Sequence, residues 1–128
     1  LELRAAGPDG VLRQDDFAHE QCLVVTQGAR HILLSGCAHN GILNILDRYR
    51  ALFGADPDVV VSGFHMKKAE PYTDAEWQVI EDTGRALQAY RHTQFYTGHC
   101  TGRPAQERLQ QILGAQLRAL HSGVALDL

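Results

Sequence analysis

Leu34-Ser35-Gly36-Cys37-Ala38-His39-Asn40-Gly41-Ile42 decides how this chain is read. An apolar run from His31 to Leu34 ends in Ser-Gly, a cysteine and a histidine follow two residues apart, and from Asn40 the apolar spacing becomes helical. The same order recurs in Ser62-Gly63-Phe64-His65-Met66, after Val59-Val60-Val61, and in Thr97-Gly98-His99-Cys100-Thr101-Gly102, after His92 to Tyr96. In open α/β sheets, ligands bind beyond the carboxyl ends of the strands. Histidines repeated at such junctions can therefore converge on one site, and metal-assisted chemistry is the leading functional reading.

Outward from that stretch, Cys22 to Val25 and His31 to Leu34 read as adjacent strands around a Gln27-Gly28 turn. Ile42, Leu43, Ile45, Leu46, Tyr49, Leu52 and Phe53 follow helical spacing, with Asn40 as the expected N-cap and Gly54 as the stop. Val59 to Val61 is a short strand. Thr73-Asp74-Ala75-Glu76 has the form of a capping box and opens a helix whose stripe is Trp77, Ile80, Gly84 and Leu87. Gly84, costly in a helix, is expected to let that helix approach the sheet. A strand over His92 to Tyr96 precedes a third helix, from about Pro104 to Gly114, and Leu117 to Leu128 supplies one or two edge strands. The order β-β-α-β-α-β-α-β predicts an α/β layered fold, one domain over residues 1–128. Residues 1–14 are expected to be irregular around the Gly7-Pro8-Asp9-Gly10 turn.

The totals narrow the function. The chain has 128 residues, 45% of them hydrophobic and 21% charged, which is ordinary globular composition. A net charge of −3 lacks the basic footprint of a nucleic-acid binder. No apolar run reaches the ~18 residues of a membrane span. Cys22, Cys37 and Cys100 are an odd number without a C-x-x-C pair, so a reducing cytoplasm is expected rather than a disulfide framework. The start at Leu1, with neither an initiator Met nor the pattern of a signal peptide, reads as a processed chain or a fragment.

His39 and His99 are the first candidates as metal ligands, since neutral imidazole binds zinc and iron readily. Cys37 offers a thiolate two residues before His39. His65 reads as a ligand, a proton donor to a leaving group, or a contact to a substrate anion. His19, His31, His92 and His121 have no partner spacing and are assigned ordinary surface or hydrogen-bonded roles. Cys100 precedes a helix, but adjacent side chains on an extended segment point to opposite faces. His99 is therefore not expected to serve it as a base, and thiol catalysis ranks low.

These stretches also carry a family resemblance. Glu20-Gln21-Cys22-Leu23-Val24-Val25, Ser35-Gly36-Cys37-Ala38-His39-Asn40-Gly41, Gly63-Phe64-His65 and His99-Cys100-Thr101-Gly102, in this order, resemble the C-terminal half of metallo-β-lactamase-fold hydrolases. The branch is the one named for dihydropterin-ribofuranosylaminobenzene-phosphate synthase. The resemblance implies half of a four-layer αββα sandwich with a metal site at one edge. It matches His99 to the last metal-binding histidine and Cys37 to the position of a bridging aspartate, with His39 a further ligand from that segment. Which of Cys37 and His39 binds is left open. The family's first metal motif, His-x-His-x-Asp-His, belongs to the other half and does not occur in this sequence.

The expected function is thus the C-terminal part of a metal-dependent hydrolase in which an activated water attacks an ester or phosphoester. The metal is divalent: zinc first, with manganese or iron admitted. Its candidate ligands are His39, His99 and Cys37, the choice between His39 and Cys37 left open, and His65 is the catalytic group facing a small-molecule substrate. The alternative is a non-catalytic dimerisation or regulatory module with idle histidines. Neither nucleic acid nor membrane is an expected partner, and the bare half-fold is expected to form a homo-oligomer or to pair with an N-terminal half.

Overall fold

A computed structural model of the chain describes residues 4–128. Two short strands, β1 (Arg4–Ala6) and β2 (Leu12–Gln14), pair antiparallel around the expected turn, where Gly7 N–H donates to Val11 O at 3.0 Å. This corrects the expectation of an irregular start for residues 4–14; residues 1–3 lie outside the described residues. Every residue of both strands is exposed, so no alternation of apolar and polar side chains marks them in the sequence.

The main sheet contains β3 (Cys22–Gln27), β4 (Arg30–Ser35), β5 (Val59–Val61), β6 (Gln94–Thr97) and β7 (Leu117–Ala119), side by side in chain order. β3 and β4 are antiparallel; the other neighbours are parallel. Helices α1 (Ile42–Phe53), α2 (Asp74–Gln88) and α3 (Arg103–Leu113) make the crossovers that parallel strands require. From β3 onward the element order is the expected one, an α/β fold with a single tail strand; residues 120–128 form none.

The sheet has two unlike faces. Leu33, Val60, Phe95 and Leu117 are register partners in one row, none more than 2% exposed, and they pack under Leu46, Ile80, Leu87 and Leu109 of the helices. Burying each such side chain stabilises the fold by about 1.5–3 kcal/mol. The opposite face carries Ile32, Val59 and Tyr96, covered in part by Leu120 and Leu128. On β3 that face continues as Leu23 and Val25, 58% and 39% exposed.

The caps follow local chemistry. Thr73 and Glu76 form the reciprocal capping box of α2, with Glu76 N–H donating to Thr73 Oγ1 at 3.2 Å and Thr73 N–H to Glu76 Oε2 at 2.8 Å. Gly54 closes α1 in the left-handed conformation, φ 70°. Two expectations are corrected. The N-cap of α1 is Gly41, not Asn40, whose amide is held by Glu20 and the Phe17 carbonyl. Gly84 admits α3 rather than the sheet, since a Cβ there would lie 3.0 Å from Ile112 and 3.1 Å from Leu109.

Candidate functional site

The loops after β4, β5 and β6 meet at one rim. Gly63 N–H donates to the Gly36 carbonyl at 2.8 Å, and Lys67 N–H to the Cys100 carbonyl at 2.9 Å. Thr97 and Thr101, both 0% exposed, add side-chain ties. Thr97 Oγ1 donates to the Ser62 carbonyl at 2.8 Å, and Thr101 Oγ1 donates to Thr97 Oγ1 at 2.6 Å while accepting from Phe64 N–H at 2.9 Å. Both buried hydroxyls are thereby satisfied, so the rim is fixed at little desolvation cost.

Among the described residues, Phe17, Ala38, His65 and His99 are the non-glycine residues with positive φ, at 51–53°. Each such conformation costs about 1–3 kcal/mol, and they concentrate where geometry serves a site. All four belong to the rim or rest against it.

Two groups of side chains result. In the first, Cys37 Sγ lies 3.6 Å from His99 Nδ1, and the donor atoms of Cys37, His99 and Cys100 all fall within 4.8 Å of one another. Cys100 Sγ also donates to the Cys37 carbonyl at 3.6 Å. Burial, with the Cys37 thiol adding to it, pushes the Cys100 thiol up to about 11, against a lowering hydrogen bond from the His65 backbone.

In the second group, the His39 ring is stacked on Phe17, centroids 4.7 Å apart and 8° from parallel, and its other neighbour is the His65 ring at 4.2 Å. Its Nδ1 is buried and has no hydrogen-bond partner among the described residues. Glu20 holds this loop from outside, accepting from His39 N–H at 2.7 Å and from Asn40 N–H and side chain at 2.9 Å each. Burial alone would raise the Glu20 carboxyl, but these bonds together hold it below its ordinary value. His65 is lowered, first by burial of its flank and then by the charges of His39 and Lys68, with Glu20 opposing. Beside it a cavity of about 590 Å³ opens between α1 and α2, bordered by Gly41, Asn44, His65, Lys68 and Glu76.

The structure therefore brings Cys37 to His99 and His39 to His65. Sequence reasoning did not place Cys100 with His99, because residues 99–101 form a tight 3-10 turn rather than an extended segment. It also passed over Glu20 and Phe17. A Glu-Gln-Cys preceding a strand announces no contact to a loop 19 residues on. His31 and His121 hydrogen-bond Thr26 and Ser122, and His19 lies 3.8 Å from Asp15, the ordinary roles expected of them.

No family model matches the chain. Over 110 residues, 85% of its length, it is 28% identical to the 7,8-dihydropterin-6-methyl-4-(β-D-ribofuranosyl)-aminobenzene-5′-phosphate synthase of Methanocaldococcus jannaschii, of which the match covers 35%. The crystal structure of Tm1679, a metal-dependent hydrolase of the β-lactamase superfamily, matches with a TM-score of 0.79 and 29% identity, over 95% of this chain and 45% of that one. The chain thus spans less than half the length of either protein. In fold and in sequence the chain is similar to about half of a metal-dependent hydrolase of the metallo-β-lactamase superfamily, and in sequence to part of a dihydropterin-ribofuranosylaminobenzene-phosphate synthase.

Proposed function

We propose that this chain supplies one side of the centre of a metal-dependent hydrolase acting on an ester or phosphoester, with Cys37, His39 and His99 holding a divalent metal, zinc first. The observation that carries the reading is the approach of Cys37 Sγ to His99 Nδ1, 3.6 Å apart although 62 residues separate them in the chain. The donors fit the group: thiolate and imidazole suit zinc, and the buried, unpartnered Nδ1 of His39 supports a place for it as a further ligand. When bound, such a metal supplies Lewis acidity and an acidified water. His65 stands between this rim and the 590 Å³ cavity, where it contacts substrate or passes a proton to the leaving oxygen. Glu20 fixes the loop that presents His39.

The half-bare sheet belongs to the same reading. Leu23 and Val25 extend an apolar face that a second sheet would cover. The two similar proteins are both more than twice as long as their matched parts, which favours an N-terminal half as the cover over a second copy of the chain. Sedimentation separates these, a homodimer of the isolated chain pointing to the second copy. Free cysteines fit a cytoplasmic location, and no helix among the described residues is long and apolar enough to cross a membrane.

The test is metal analysis with phosphodiester and ester hydrolysis by the natural polypeptide that carries this sequence. His99→Ala and His39→Ala are expected to lose metal and activity together, and His65→Ala to lose activity while keeping metal. Full metal content and turnover in His99→Ala would overturn the reading.

A further inference from the structure

We infer that Cys100 is a further protein ligand of the same centre, so that beside its imidazoles the chain offers two thiolates, Cys37 and Cys100, to a thiophilic divalent metal. The inference rests on the metal reading above and adds both a ligand and a metal class to it.

The distances carry it first. Zinc–sulfur bonds of about 2.3 Å and zinc–nitrogen bonds of about 2.0–2.1 Å at tetrahedral angles set a sulfur–nitrogen edge of roughly 3.6 Å and a sulfur–sulfur edge of roughly 3.8 Å. Cys37 Sγ and His99 Nδ1 already stand 3.6 Å apart. The remaining separations, to Cys100 Sγ, are no more than 4.8 Å, so small side-chain rotations complete the triangle.

The backbone carries it next. On an extended segment His99 and Cys100 would point to opposite faces. Here His99 takes φ 51° and opens the 3-10 turn over His99–Thr101, which turns both donors toward Cys37. Two bonds pin that turn: Lys67 N–H to the Cys100 carbonyl at 2.9 Å and Phe64 N–H to Thr101 Oγ1 at 2.9 Å. Across the loop, Gly63 leaves the thiol its room, since a Cβ there would stand 2.5 Å from Cys100 Sγ and push it aside. The thiol now has a 3.6 Å contact to the Cys37 carbonyl and a hydrogen bond from the His65 backbone.

Two thiolates change which metal the site takes. Thiolate selects zinc, cobalt or cadmium over manganese or magnesium, which prefer oxygen donors. Each thiol gives its proton to solvent as it coordinates, and the two negative charges balance a divalent ion.

Cobalt(II) titration of the reduced chain tests this. Wild type is expected to show thiolate-to-cobalt charge-transfer absorption that zinc abolishes and manganese does not. Cys100→Ser, with unchanged far-UV circular dichroism, is expected to keep about half that intensity and to bind cobalt at least ~10–100-fold more weakly, the range that loss of even an outer-sphere partner produces. Zinc should also protect Cys100 from alkylation in the wild type, a readout that needs no variant. Wild-type intensity and affinity in Cys100→Ser, or equal alkylation of Cys100 with and without zinc, overturns the inference. Cobalt binding of undiminished affinity and intensity in Cys100→Ser, with its loss in His99→Ala, overturns the Cys100 ligand alone and leaves the hydrolase centre standing. Absence of any cobalt uptake by the wild type overturns both.

Discussion

One short loop feeds two neighbourhoods held in different ways. Cys37 joins His99 and Cys100 in a group fixed from within the sheet, through Thr97, Thr101 and the Gly63–Gly36 bond. His39, two residues on, joins Phe17 and His65 in a stack fixed from outside, by Glu20 and the segment before β3. Ala38, at φ 53°, is the pivot between them. A Cys-x-His spacing suggests two donors for one ion. The fold instead sets the thiol against His99 and the imidazole between Phe17 and His65. The inner group is thus expected to dominate metal affinity, with His39 a further ligand reaching it from the outer group, and His65 to govern what meets the metal.

The sharpest way to break that division is to strip each group in turn. Removing both inner donors in Cys37→Ser/His99→Ala should reduce divalent metal affinity by more than the ~10–100-fold cost of an outer-sphere partner. His65→Ala should leave it within a few-fold. Isothermal titration with zinc decides this, and an equal collapse in His65→Ala would merge the two groups into one centre.

Stability offers a second contrast. Thr101→Val leaves the buried Phe64 N–H without its acceptor and should destabilise by about 2 kcal/mol in urea unfolding, within the range for an orphaned buried group. Glu20→Gln keeps the shape but loses the charge at a partly solvated position, so about 1 kcal/mol is expected. The sign with pH follows from the lowered folded value of Glu20. Its contribution is complete above the unfolded carboxyl pKa and is lost as pH falls through the folded one. The gap between wild type and Glu20→Gln should therefore close in acid, whereas the Thr101→Val gap should not. A Glu20→Gln gap that widened in acid would contradict the hydrogen bonds assigned to the carboxylate.

The contrast also shows what could be read from the residues. The helices and parallel strands announced themselves because their apolar spacing is the packing itself: Leu33, Val60 and Phe95 lie in runs that have to be buried. The capping box at Thr73 was legible because both partners lie within four residues. The rim histidines were legible because strand ends converge in this class of fold. Features resting on long-range partners or on backbone conformation were not. Asn40 suits an N-cap by residue type, but Glu20, twenty positions away, competes for its amide. Cys100 was set aside as facing away from His99 because periodicity does not reveal a 3-10 turn. The β1–β2 hairpin buries nothing and so left no pattern.

Ala38 is where the smallest effect is expected and where the comparison is most sensitive. An L-residue in the left-handed region costs about 1–2 kcal/mol that glycine does not incur. Ala38→Gly should recover that amount. It also removes a methyl group from a position only 1% exposed, a loss of about 0.8 kcal/mol, and adds freedom to the unfolded chain worth a further ~0.5–1 kcal/mol. The terms nearly cancel, so the unfolding midpoint should hardly move. Ala38→Val, by contrast, sets a β-branched side chain at positive φ in a filled space and should destabilise clearly. If the left-handed turn serves only to divide the loop's donors, Ala38→Gly should retain wild-type zinc affinity, since glycine occupies that conformation freely. A marked fall in zinc affinity at unchanged stability would mean that the methyl group, not the turn, holds Cys37 and His39 apart.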